Sequence, residues 1–144
     1  MRQDLSVSRS INIKATPNKV WEVLTIPELI KEYLYGTETV TTWKMGSEVI
    51  FQGEYNGQKY RDHGIILENI INEKLSYSYW SGFSGLEDKP DNYSTIIYLL
   101  KKITNEETEL TWVQQGFSTE ENYNHSLSST DSLLNEIKKI AERN

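Results

Sequence analysis

The chain has 144 residues, 37% of them hydrophobic, and a formal net charge of −6, a size and composition that suit one globular domain over residues 1–144. The acidic balance opposes a nucleic-acid or anionic membrane surface, because affinity for phosphate rests on clustered Lys and Arg. With no Cys, the chain has no disulfide framework, no thiolate nucleophile and no Cys-rich zinc site.

The opening MRQDLSVSRS lacks the apolar run of a signal peptide. No later stretch approaches the roughly 20 apolar residues of a membrane span. The expectation is a cytoplasmic protein with no membrane insertion. Residues 5 to 13 alternate apolar and polar, with only Arg9 out of pattern on the apolar face, and read as the first strand. Thr16 and Pro17 then form a helix start, the hydroxyl as cap and the ring pre-set for the first helical position. Pro27 opens a second short helix, which Gly36 is placed to end.

From Thr37 to Gln115 the texture is β-branched and aromatic, broken by turn signals at Met45-Gly46-Ser47, Asn56-Gly57, Ile71-Asn72-Glu73-Lys74 and Asn105-Glu106-Glu107. Strands are expected at 37–44, 48–55, 58–70, 75–82, 92–103 and 108–116. Asn56-Gly57 is the strongest signal, since a two-residue type I′ turn needs positive φ at both positions. The polar, Gly- and Asp-rich run 82–92 reads as a mobile loop bordering a pocket mouth. Beyond Gly116-Phe117, Ser118 and Glu121 fit a capping box for a terminal amphipathic helix. The Ser- and Thr-rich stretch 126–132 predicts a kink or second start near Ser128 to Thr130, with firm helix from Asp131.

Hairpin-length turns make the strands antiparallel, and a sheet with one apolar face needs a cover. The predicted architecture is α+β: a curved seven-stranded antiparallel sheet around a long C-terminal helix, with two short helices between strands one and two. If sheet and helix do not touch throughout, a cavity lies between them.

The runs IKATPNKVWEVLT and IPELIKEYLYG, with Trp43-Lys44-Met45-Gly46-Ser47, Tyr60-Arg61-Asp62-His63-Gly64, Glu73-Lys74-Leu75-Ser76-Tyr77 and Gly116-Phe117, resemble the SRPBCC superfamily of START/Bet v 1-like, helix-grip domains. Within it they are similar to the branch of the C-terminal domain of the activator of the ninety-kilodalton heat-shock protein ATPase. The resemblance covers nearly the whole chain and implies a hydrophobic pocket, since relatives bind lipids, polyketides and other apolar molecules, some with cyclase chemistry. It also implies a chaperone as a possible partner, the namesake being a co-chaperone. The late helix of the family usually carries a Gly-Trp pair where this chain has Ser129-Thr130. No catalytic motif carries over.

Several residues are candidates for the site. Arg61 and His63 share one face of a strand, and if that face looks into the cavity His63 is a proton-transfer group and Arg61 an anchor for an anionic or carbonyl end. Neighbours on a strand point to opposite faces, which opposes an Asp62-His63 dyad. Tyr77 and Tyr79 are assigned inward with Leu75, with Trp80 on the other face. Trp112 and Gln114 are assigned to the cavity, facing Val49 and Phe51, with Leu134 and Ile137 on the gripping helix. The faces of Ile96 to Leu100 stay open. Two His far apart and no Cys oppose metal binding, and no cofactor is expected.

Three function classes remain. The leading one is binding of a small hydrophobic molecule, with the last helix and loop 82–92 as gate. The second is a protein-interaction module, and the third a cyclase- or hydrolase-type enzyme using His63, Tyr77 or Tyr79.

Overall fold

The computed structural model describes residues 1–143. The elements run β1 (Arg2–Ile13), α1 (Pro17–Thr25), α2 (Pro27–Tyr33), β2 (Glu38–Val40), β3 (Glu48–Tyr55), β4 (Gln58–Ile70), β5 (Lys74–Tyr79), β6 (Ser94–Thr104), β7 (Glu107–Phe117) and α3 (Glu120–Ala141). Seven strands form one antiparallel sheet in the order β1-β7-β6-β5-β4-β3-β2. The helix-grip architecture expected from the sequence is the architecture observed.

Local chemistry explains most boundaries. Thr16 caps α1 by accepting from the Lys19 amide at 3.2 Å, with Pro17 in the first turn. At the end of α2 both Tyr35 and Gly36 take positive φ, at 49° and 95°, and the Gly36 amide reaches back to the Lys31 carbonyl at 2.8 Å. The stop is thus a Schellman closure spread over two residues rather than Gly36 alone. Asn56 and Gly57 both take positive φ, as the β3–β4 hairpin requires.

Other expectations are corrected. The second strand pairs only over Glu38–Val40, and the segment beyond it leaves the extended conformation, with Trp43 left-handed at φ 65°. The fifth ends at Tyr79, and Trp80 makes an isolated bridge to His63. The run 82–92 contains two short 3₁₀ turns held by Trp80 Nε1 on the Leu86 carbonyl at 3.3 Å and Asn92 Nδ2 on the Glu87 carbonyl at 2.8 Å. The cap of α3 is Thr119, accepting from the Asn122 amide at 3.0 Å, one residue beyond the predicted Ser118. α3 is one continuous helix over Glu120–Ala141, with no second start near Ser128 to Thr130. Ser128 and Thr130 donate to the carbonyls of His125 and Ser126 at 2.8 and 2.6 Å, absorbing their hydroxyls within the continuous helix.

The core lies between the concave face of the sheet and the helices. Val7 and Ile13 of β1, Val20, Val23 and Leu24 of α1, Ile66 of β4, Leu110 of β7 and Leu134 and Ile137 of α3 are buried together. The C-terminal half of α3 is tied to β1 by Lys138 Nζ on the Asn12 carbonyl at 2.9 Å, and Glu142 accepts the Lys14 amide at 2.7 Å. Toward its N-terminal half a space opens between α3 and the middle strands.

Candidate functional site

That space is a cleft of about 580 Å³, walled by the inward residues of β3 to β7, by the end of α2 and by one face of α3. Period-two alternation delivers the sheet side: Phe51 from β3, Tyr60 and Asp62 from β4, Tyr77 and Tyr79 from β5, Ile96 and Tyr98 from β6, and Trp112 and Gln114 from β7. A second space of about 630 Å³ shares Tyr79, Trp112, Gln114, Ser129 and Leu133 and continues toward Phe83 and Phe117.

The aromatic lining is ordered by ring contacts. Phe51 lies 5.4 Å from Tyr77 and 5.9 Å from Tyr79, centroid to centroid, in tilted arrangements that favour packing of the ring quadrupoles. Tyr60 bonds Thr37 at 2.6 Å through their hydroxyls, joining β4 to the segment after α2. Burial pushes the Tyr33, Tyr77 and Tyr98 hydroxyls well above the usual phenol range, so they are neutral donors at physiological pH.

The polar centre of the cleft is Asp62. Its side chain is buried, with 6% of the residue exposed, and its Oδ2 accepts from the Tyr79 hydroxyl. Its Oδ1 has no partner among the described residues. Burial raises the Asp62 carboxyl above its ordinary value, and the hydroxyls of Tyr79 and Ser81 draw it partly back. Tyr79 is raised by its own burial and then by the Asp62 charge. Gln114 donates to the Gly116 carbonyl at 3.2 Å and more weakly to Ser94 Oγ at 3.4 Å, which anchors its amide at the cleft wall.

The predicted site residues divide. Phe51, Tyr77, Tyr79, Trp112 and Gln114 line the cleft. Arg61 and His63 do not, since β4 turns Tyr60, Asp62, Gly64 and Ile66 inward and its odd-numbered residues outward. Arg61 is exposed and sits 3.7 Å from Glu48. His63 lies on the convex side, 3.0 Å from Asp88 of the loop and 5.5 Å from the Trp80 ring. The hydrogen-bonded carboxyl and phenol that face the cleft are Asp62 and Tyr79, and His63 lies on the other side of the sheet. Val49, Leu134 and Ile137 are in the core at 0%, 1% and 0% exposure, behind the wall. The α3 residues that reach the cleft are Ser129, Ser132 and Leu133. Ser129 is exposed at the edge of the cleft, and Thr130 beside it is buried.

The sequence reading passed over Asp62, although a signal for it exists. Counting outward from the Asn56-Gly57 turn puts Asp62 directly across from Phe51, and facing residues of an antiparallel pair share one side of the sheet. Once Phe51 is inward, so is Asp62. Among the described residues no three His, Asp or Glu side chains converge as a metal site. No described helix is long and apolar enough to cross a membrane.

Comparison with known proteins agrees with this architecture. A protein of Cytophaga hutchinsonii is 35% identical, with 99% of this chain and 97% of that one covered and a TM-score of 0.83. The Aha1 dimer from Colwellia psychrerythraea shares the fold at 18% identity, with 96% of each chain covered and a TM-score of 0.73. An HSP90 activator from Plasmodium falciparum does so at 13% identity, over 78% of this chain and 74% of that one, with a TM-score of 0.63. No curated protein matches the chain. The family model described as activator of Hsp90 ATPase homolog 1-like protein matches residues 14–142, and the chain belongs to that family, within the SRPBCC superfamily.

Proposed function

We propose that the chain acts as one START-like domain that binds a small hydrophobic ligand, of lipid or polyketide type, in the cytoplasm. The observation that carries this reading is the aromatic-lined cleft of about 580 Å³ between sheet and α3, a volume in the range of small-molecule sites. Phe51, Tyr77, Trp112 and Leu133 supply apolar contact, and Asp62, Tyr79 and Gln114 orient the polar end. Native mass spectrometry of protein purified without detergent tests it: an apolar mass should co-purify, and Ser129→Trp, which fills the cleft, should lose it. A clean apo mass, with no uptake of an apolar fluorescent probe, overturns the reading.

A second reading, a protein-interaction module with a chaperone as partner, is favoured by family membership. Its test is stimulation of a purified chaperone ATPase by the folded chain. Stimulation that survives Ser129→Trp would place that activity outside the cleft.

A further inference from the structure

Asp62 Oδ1 is a buried carboxylate oxygen on the wall of the cleft with no hydrogen-bond partner among the described residues, although the Ser81 hydroxyl stands close enough to the carboxyl to favour its charged form. Unpaired buried charge is costly, and buried carboxylates elsewhere are held by a cation or by several donors. Here the Tyr79 hydroxyl bonds Oδ2, and no Lys, Arg or His is among the described residues of the cleft wall, the imidazole of His125 bordering only the adjoining space. The nearest imidazole, His63, is on the convex face and paired with Asp88. The same cleft is lined by the rings of Tyr60, Tyr77, Tyr79 and Phe51, with Tyr79 bonded to the carboxylate and Phe51 across the strand pair from it, and aromatic faces attract cations through their quadrupoles.

We infer that the ligand carries a protonated amine or other organic ammonium group, which binds Asp62 Oδ1 while its apolar body lies against the aromatic wall. This rests on the small-ligand reading above and narrows it to amphiphilic cations. Three features converge on it: an open acceptor, a lining without a competing cation, and ring faces suited to a positive guest. A neutral hydroxyl would also reach Oδ1, but it would bring no positive charge into the cleft, where the carboxylate is favoured only by the hydroxyls of Tyr79 and Ser81 and, from the opposite face of the sheet, by His63. A ligand carboxylate would be repelled. The overall charge of −6 further favours the approach of cations over anions.

The test compares three probes of one shape at neutral pH by calorimetry or by quenching of tryptophan emission: naphthylmethylamine, naphthylmethanol and naphthoate. The amine should bind the wild-type chain about tenfold or more tighter than the alcohol, as expected for a charge-assisted hydrogen bond in a dry site, and naphthoate should bind weakest. Asp62→Asn should abolish the advantage of the amine over the alcohol, bringing the ratio of their affinities to about one. If the alcohol binds and the amine is no tighter, the ammonium inference is overturned and the apolar cleft stands. If amine preference persists in Asp62→Asn, the inference is likewise overturned. If neither amine nor alcohol binds, the small-ligand reading itself fails. The wild-type comparison needs no variant to fold.

Discussion

Gly64 of β4 passes so close to Ser78 of β5 that a Cβ on it would lie 1.6 Å from the Ser78 carbonyl oxygen. The contact is with backbone, so no rotamer change relieves it. Gly64→Ala should therefore part β4 from β5 beneath the cleft. We expect a loss on the order of 3 kcal/mol or more, the upper part of the range for single substitutions, read from urea unfolding of purified protein. A change below about 1 kcal/mol would show that the strands separate easily there.

Leu133 and Leu134 are neighbours on α3 with different surroundings. Leu134 is 1% exposed in the core, whereas Leu133 is partly buried on the cleft wall. Leu134→Ala should cost about 2–5 kcal/mol. Leu133→Ala should cost less than half of that and alter the affinity of apolar probes. Thermal unfolding and probe titration of the two variants check the contrast, and equal costs would contradict the assignment of faces.

Asp62 makes stability depend on pH in an unusual direction for a carboxylate. Its folded pKa is raised by burial, so ionisation is harder in the folded chain than in the unfolded one. The resulting cost is present above the folded pKa and fades as pH falls through it toward the ordinary value of 3.8. Asp62→Asn should thus raise Tm at neutral pH, with an advantage that shrinks by about pH 3.5. Melting curves of both proteins across this window test the sign; a gain that grows on acidification would contradict it.

Arg61 belongs to the solvent face, with a half-exposed side chain 3.7 Å from Glu48. Exposed pairs of this kind contribute about 0–1 kcal/mol. Arg61→Ala should leave Tm within a few degrees of wild type and apolar probe binding unchanged. A loss of probe affinity would return this side of β4 to the site.

Thr16 is a local cap, bonded to the Lys19 amide at 3.2 Å. Thr16→Ala should cost about 1 kcal/mol, while Thr16→Ser should retain most of the stability, since the hydroxyl is what the amide needs. Denaturant midpoints of the pair separate the cap from side-chain packing.

The amino-acid order determines a good deal here because the forces involved are local. The strands at 48–55 and 58–70, the Asn56-Gly57 turn between them and the Thr16-Pro17 start were legible because each depends on a few adjacent residues and their own φ preferences. Where the structure departs from the expectation, local bonding accompanies the change: the second strand stops at Val40, with Trp43 left-handed beyond it, and α3 runs unbroken through Ser128 to Thr130 with their hydroxyls bonded to its own carbonyls. The site was less legible. Residues 61 and 63 and residues 60 and 62 offer comparable mixtures of polar and aromatic character, so composition does not choose between the two faces of β4. Cross-strand register with Phe51 does.

On α3 the apolar residues form two adjoining stripes, and only the lie of the helix along β1 decides that Leu134 and Ile137 fill the core while Ser129 and Leu133 border the cleft. Whether a carboxylate is buried, and whether its second oxygen finds a donor, depends on atoms brought from β3, β5 and the loop after Tyr79. Sequence alone therefore set the elements and their order. The open oxygen of Asp62 was decided by tertiary structure, because solvation and hydrogen-bond partners are properties of where distant segments meet.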